Sequence, residues 1–221
     1  MATTRPEKPV RERSLATTAK RPPFKRKQHP LKVLAREVNE ASLSLGFRHL
    51  APIFITCMTW KIYDGPTIRS TPTLKSQVWE LFEHNMHDMY VQAEDPDIPW
   101  DPPAKEKELF HKLSRFILLY NSAEELEAFC MFRFEADKNY EGKMQFMVYI
   151  YEVQVAEGSR GTGICRRMLG ALEQLCAGLK VQLFMLTCFR CNSDALPVYE
   201  HLGFKQHVDT TETAVVFFKL L

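Results

Sequence analysis

Apolar residues recur along this chain at two periods, and each change of period marks a new element. Leu31, Leu34, Val38, Ala41 and Leu45 fall three and four apart, one stripe of a helix that Gly46 can end. Residues 53–62 read as a strand, closed by Asp64-Gly65-Pro66. From 73 to 93 the helical period returns, with Leu74, Val78, Leu81, Phe82, Met86 and Met89 on one side. An acidic, proline-broken loop covers 94–103, and a short helix is expected near 105–112. Residues 115–121, 127–136 and 143–155 predict three consecutive antiparallel strands. A helix over 163–179 turns Ile164, Met168, Leu172, Leu175 and Leu179 inward. A strand at 181–187, a helix at 192–202 and strands at 204–208 and 213–220 complete the pattern. Three strands in a row before any crossover helix exclude a doubly wound sheet. The expected fold is α/β: a mixed, mostly antiparallel sheet with helices on both sides, over residues 31–221, braced by the added N-terminal helix at 31–46.

Composition sharpens this picture. The chain has 221 residues, 45% of them hydrophobic, which suits one domain plus an extension. The net charge of +2 hides an asymmetry. Residues 1–32 hold ten Lys or Arg against two Glu, leaving 19 basic against 25 acidic residues for the remainder. A basic flexible tail, 1–30, is thus joined to an acidic body. Within the tail, Lys25-Arg26-Lys27 reads as a nuclear-import segment or as plain solvated charge. The acidic body should attract cationic ligands, and direct binding of nucleic acid is not expected. No apolar run is long enough to span a bilayer, and no apolar segment follows the basic start. The expectation is an uncleaved, soluble, intracellular protein without a membrane partner. Of six cysteines, Cys188 and Cys191 form a lone C-x-x-C with no second pair, so no metal site is expected.

The candidate chemistry lies in one stretch, Tyr149-Ile150-Tyr151-Glu152-Val153-Gln154-Val155, followed by Arg160-Gly161-Thr162-Gly163-Ile164-Cys165-Arg166. It runs from strand through glycine loop to helix. The first N–H groups of a helix lack backbone partners and carry partial positive charge, and glycines let an anion approach them. The spacing is neither G-x-G-x-x-G nor a P-loop. Glu152 is a carboxylate among apolar and aromatic neighbours. Burial there would raise its pKa toward the range of a general base. The alternative, a carboxylate facing solvent or paired with a basic side chain, stays open at this point.

Those two segments resemble the acetyl-CoA loop of the GCN5-related N-acetyltransferases. Arg160-x-x-Gly163-x-Cys165 matches the family's Q/R-x-x-G-x-G/A, with cysteine at the last position. Asn192-Ser193-x-Ala195-x3-Tyr199-Glu200-x-Leu202-Gly203-Phe204 is similar to its second signature, and the likeness covers roughly 50–220. Within the family it resembles the NatD-type N-alpha-acetyltransferases of core histones two-A and four, on Asn85-Met86-x-x-Met89-Tyr90-x-Gln92, Phe132-Arg133-Phe134-Glu135, Tyr149 to Val155 and Leu186-Thr187-x-Phe189. The resemblance implies acetyl-CoA as co-substrate, no metal, and transfer to the N-terminal amine of histone tails beginning Ser-Gly-Arg-Gly. It implies Glu152 as base through a water, with Tyr151 beside it and Tyr199 as a candidate to protonate the leaving thiolate. Val153, Gln154, Val155, Arg160, Gly161, Thr162, Gly163, Ile164, Cys165, Arg166 and Asn192 would hold acetyl-CoA. Tyr90, Trp100, Glu135, Asp137, Tyr149 and Thr187 would meet the peptide. It also implies a monomer resident in nucleus and cytoplasm. Two other readings remain: the same fold acting on lysine side chains or another small amine, and a non-catalytic histone- or nucleic-acid-binding protein. The sequence departs from the NatD-type pattern in a longer link through residues 139–143, in the 94–103 loop, and in Val215-Val216-Phe217 near a substrate-contacting tyrosine.

Overall fold

The computed structural model describes residues 28–41, 58–139 and 141–221. The basic tail up to residue 27, Leu45 and Gly46 of the first helix, residues 53–57 of the first expected strand and Tyr140 lie outside the described residues.

Helix α1 (Pro30–Glu40) opens on a proline, whose missing N–H costs nothing in a first turn. Leu31 and Val38 pack on the sheet and Ala35 is buried between them, whereas Leu34, expected on the inner stripe, is 38% exposed. A polar clamp fixes the helix. Buried Asn39 accepts from the Phe134 N–H at 2.9 Å and donates to the Phe134 carbonyl at 2.8 Å. Strand β1 (Thr59–Asp64) leads directly into α2 (Gly65–Ser70), where only a turn was expected. Asp64 ends the strand and caps the helix, its Oδ1 accepting from the Thr67 N–H at 2.8 Å. Helix α3 (Pro72–Ala93) matches its expected span and ends with Glu94 in the left-handed region at φ 45°.

Helix α4 (Pro102–Leu109) begins three residues earlier than expected. Asp101 accepts from the Ala104 N–H at 3.0 Å, and the two prolines occupy the first turn, where they suit a helix. Strands β2 (Arg115–Tyr120), β3 (Leu126–Lys138) and β4 (Met144–Val155) form the expected antiparallel run. After a 3-10 turn (Glu157–Ser159) come α5 (Ile164–Leu179), β5 (Leu183–Phe189), α6 (Leu196–His201), β6 (Lys205–Gln206) and β7 (Ala214–Leu220). The last helix and β6 are shorter than predicted.

The described strands make a seven-stranded sheet in the order β1-β2-β3-β4-β5-β7-β6, parallel only between β4 and β5. One face is covered by α1, α5 and α6 around Phe132, Phe134, Val148, Ile150 and Met168. The other is covered by α2, α3 and α4 around Ile68, Phe82, Leu109, Phe116 and Phe129. No helix among the described residues is long and apolar enough to cross a membrane.

Candidate active site

A single inserted residue decides which way Glu152 points. Along β4, Phe146, Val148 and Ile150 alternate into the core beneath α5. Unbroken alternation would send residue 152 the same way. Instead Phe132 of β3 lies opposite Ile150 while Met131 lies opposite Glu152, which leaves Tyr151 as a bulge. Beyond it Val153 and Val155 take over the α5 face. Tyr151, Glu152 and Gln154 thereby share the opposite face, where they meet α3 and α4.

The sheet also opens at this level. The β4–β5 ladder ends at Ile150–Leu186, whereas β4 runs on to Val155 and β5 to Phe189, which pairs with β7. A cleft of about 480 Å³ passes through this gap. Tyr90, Lys105, Glu108, Tyr149, Glu152 and Thr187 line one side of it. Val153, Asn192, Ala195 and Tyr199 line the other, so the cleft joins the two faces of the sheet.

Glu152 is 6% exposed and both its oxygens are engaged. Oε1 lies 2.6 Å from Lys105 Nζ, and Oε2 accepts from Gln154 Nε2 at 2.7 Å. Of the readings left open, solvent exposure is excluded: Glu152 is both buried and paired with a basic side chain. Lys105 Nζ also donates to Glu108 Oε1 at 2.6 Å, and it stands over the rings of Phe82 and Tyr90. Burial alone would depress the Lys105 ammonium, yet the negative charges of Glu152 and Glu108 more than offset it and hold its pKa well above the lysine range.

From Gln154 the polar chain continues outward. Gln154 Oε1 accepts from Asn85 Nδ2 at 3.0 Å, the same Nδ2 donates to the Val155 carbonyl at 3.1 Å, and Arg160 Nη2 donates to Asn85 Oδ1 at 2.7 Å. Arg160, Gly161, Thr162 and Gly163 are exposed, with Gly161 at φ +75° and Gly163 at φ +80°. Those angles favour glycine; open space lies beside Gly161, whereas the Arg167 guanidinium lies beside Gly163. No side chain caps the start of α5, so its first amides are open to an anion. Arg166 is exposed beside them, whereas the Ile164 side chain is buried and contributes only backbone. Cys165 is half-buried and its thiol is pushed up to about 11 by burial, which fits a small packing residue.

The tyrosines form the remaining wall. Tyr149 and Thr187 hydroxyls are 2.6 Å apart across β4 and β5. The Tyr151 hydroxyl donates to Glu135 Oε1 at 3.1 Å, and the Arg133 guanidinium lies 4.2 Å from the centre of its ring. Burial raises the Tyr151 phenol to about 12, with the Glu135 charge adding. Tyr90 is raised to about 12 as well, by burial first and then by Glu152. Tyr199 packs on Phe204 and Phe217, and burial holds its phenol well above the ordinary tyrosine value.

Two candidates stand outside this group. Trp100 lies against Trp79, Phe82, His87 and Tyr90 in an aromatic stack, and its loop neighbours Asp97 and Ile98 line the cleft instead. Asp137 is exposed at the hairpin end, where its Oδ1 accepts from the Lys138 N–H. Sequence reasoning missed Lys105, Glu108 and the bridging role of Asn85. Lys105 and Glu108 fall three apart on the helix expected near 105–112, but no local signal turns either toward Glu152. Among the described residues no group of side chains is arranged to hold a metal.

The family model of the GNAT acetyltransferases matches residues 77–204, from α3 through the cleft to the start of β6. The chain belongs to the GNAT acetyltransferase family. Solved acetyltransferases share its fold at low identity. An acetyltransferase of this family from Listeria monocytogenes is 17% identical, with a TM-score of 0.53 over 76% of this chain and 99% of that one. An acetyltransferase from Streptococcus agalactiae is 14% identical, with a TM-score of 0.54 over 76% of this chain and 100% of that one. PaiA N-acetyltransferase from Thermoplasma acidophilum, solved in complex with coenzyme A, is 13% identical, with a TM-score of 0.53 over 74% and 99%. As a GNAT enzyme the chain is an acetyl-CoA-dependent acetyltransferase. The open amides of α5, the glycine loop and the splayed edge of β4 fit that co-substrate, whose thioester supplies an already activated acetyl group.

Proposed function

We propose that this GNAT enzyme is a NatD-type N-alpha-acetyltransferase that acts on histone tails beginning Ser-Gly-Arg-Gly. The observation that carries the reading is the side of the cleft facing α3 and α4. There the buried Glu152 sits among Tyr90, Tyr149 and Thr187, with Glu108 beside them. Small first residues suit a narrow, hydroxyl-lined entrance, and the acceptor's positive charge suits an acidic one. Glu135 backs the wall through Tyr151 and, with Glu108, offers carboxylates to the peptide arginine.

An α-amine has a pKa of about 8, so it arrives mostly charged at neutral pH and must lose a proton. Glu152 is the acceptor for that proton. Both its oxygens already hold one partner, so a water bridging amine and carboxylate is the natural route. Tyr199, which lines the opposite side of the gap and is still protonated at neutral pH, returns a proton to the departing sulfur in this reading. Val153 and Val155 backbone groups, the residue 161–166 amides, Arg160, Arg166 and Asn192 hold acetyl-CoA in this account.

The test offers equal concentrations of a Ser-Gly-Arg-Gly peptide and its N-terminally acetylated form, with release of CoA as the readout. Turnover on the free peptide alone supports the proposal. Equal CoA release with both shows that the α-amine is not the acceptor and refutes it. Peptide binding without any turnover would favour a non-catalytic binder.

A further inference from the structure

We infer that Lys105 is a positioning residue for the reaction, which holds Glu152 in place and sets the charge that the acceptor amine meets. The inference rests on the reading of Glu152 as the base. Lys105 reaches the cleft from the first turn of α4, whose start is fixed by the Asp101 cap. Its ammonium is wedged between two carboxylates at 2.6 Å each, Glu152 behind it and Glu108 at the cleft wall. Its side chain is 12% exposed, against 38% for Glu108. The long stem cannot swing free without breaking both contacts and leaving two carboxylates facing each other.

The charges add up simply. From α4 come Lys105 and Glu108, from β4 Glu152, and the neutral phenols of Tyr90 and Tyr149 face the ammonium from α3 and β4. Asp97 lines the cleft from the loop before α4, and Arg133 of β3 is tied to the Glu108 carbonyl. The Lys105–Glu108–Glu152 cluster therefore carries a net single negative charge. That attracts a cationic amine without stabilising its protonated form as strongly as two unbalanced carboxylates would. Removing the lysine charge leaves Glu152 buried beside a like charge, which favours its protonated form. Above the pH at which Glu152 takes up that proton, it also leaves a stronger negative field on the substrate ammonium, which then binds at least as well and gives up its proton less readily. This predicts a split between KM and kcat that simple loosening of α4 would not produce.

The experiment measures kcat against pH, and peptide KM, for the full chain and its Lys105→Met, Lys105→Arg, Glu108→Gln and Glu152→Gln variants, with Ser-Gly-Arg-Gly peptide and acetyl-CoA. Lys105→Met should lose about tenfold or more in kcat at neutral pH, and the acid limb of its profile should move up by about one pH unit, with peptide KM unchanged or lower. Lys105→Arg keeps the charge and should keep the position of the limb. Glu108→Gln should move the limb the opposite way, because Lys105 then serves Glu152 alone. If Glu152→Gln abolishes turnover but neither Lys105→Met nor Glu108→Gln moves the limb, the positioning role is wrong and the base stands. A limb moved the same way by both variants also overturns the role. Should Lys105→Met fail to fold, the direction of the Glu108→Gln shift still decides. Full turnover in Glu152→Gln sinks the base reading and this inference together.

Discussion

Replacing Asn85 by alanine should damage both the cofactor loop and the base, because one side chain serves both. Asn85 joins Gln154, the Val155 carbonyl and Arg160 through contacts of 2.7 to 3.1 Å. The amide orientations admit one pattern: Arg160 donates to Asn85, Asn85 donates to Gln154, and Gln154 donates to the carboxylate of Glu152. Alanine leaves the buried Gln154 oxygen without this donor, a cost of about 1–3 kcal/mol. The Arg160 contact is exposed and adds little. For a chain of this size about 2 kcal/mol lowers the melting temperature by roughly 4–8 °C. A freed Arg160 and a slackened Gln154 should raise the KM for acetyl-CoA and lower kcat, each by roughly three- to tenfold, the effect of about one hydrogen bond. Steady-state kinetics with varied acetyl-CoA, beside a thermal melt, measure both. Asn85→Asp sharpens the comparison: it keeps an acceptor for Arg160 but cannot donate to Gln154, so kcat should fall while acetyl-CoA KM changes little. If Asn85→Ala melts normally with unaltered kcat and KM, the chain from loop to carboxylate has no energetic substance.

Glu135→Gln should raise the KM for a Ser-Gly-Arg-Gly peptide several-fold, and by less for a peptide whose arginine is replaced by alanine, as peptide titration would show; equal effects on both would remove Glu135 from arginine recognition. Tyr199→Phe keeps the ring that packs on Phe204 and Phe217, so it should fold normally while kcat falls; an unchanged kcat would make Tyr199 a packing residue only. The phenols of Tyr90, Tyr120 and Tyr151 are raised from about 10 to about 12, burial being the first cause in each. Groups whose folded pKa is raised contribute stability that is complete below pH 10 and lost as pH climbs through 12. Melting temperature should therefore drop steeply between pH 10 and 12, coincident with the rise of tyrosinate absorbance. A flat melting temperature across that window would contradict the burial of these hydroxyls.

Much of the fold is legible in the sequence because long elements carry a strong period. The stripe from Leu74 to Met89 and the run from Ile164 to Leu179 give α3 and α5 almost to the residue. The strands from 115 to 155 show themselves by β-branched and aromatic residues in sequence. Short elements are masked by residues with two uses. Asp64 and Pro66 read as turn formers, yet the same side chain and the same ring start α2. Asp101-Pro102-Pro103 reads as loop for the same reason. The candidate site was only half legible. Glu152, Tyr90, Tyr149, Thr187 and Tyr199 were all expected at a site and all line one cleft. The bulge at Tyr151 leaves no local mark in the sequence, because it exists only in the register against β3. Without it Glu152 would sit with Ile150 under α5. Lys105 was invisible as a partner because its contact with Glu152 spans 47 positions and depends on where α4 begins. The sequence leaves both burial and a basic partner open for Glu152; it does not say which cation makes the burial tolerable.

The central claim is that Glu152 accepts the proton of the acceptor amine while other groups hold acetyl-CoA. Its most direct test is Glu152→Gln, with acetyl-CoA affinity by calorimetry and kcat with Ser-Gly-Arg-Gly peptide measured on the same preparation. The account predicts affinity within about twofold of the native value and a fall in kcat of about 10²-fold or more. Native turnover in that variant, or loss of acetyl-CoA binding in step with activity, would contradict it.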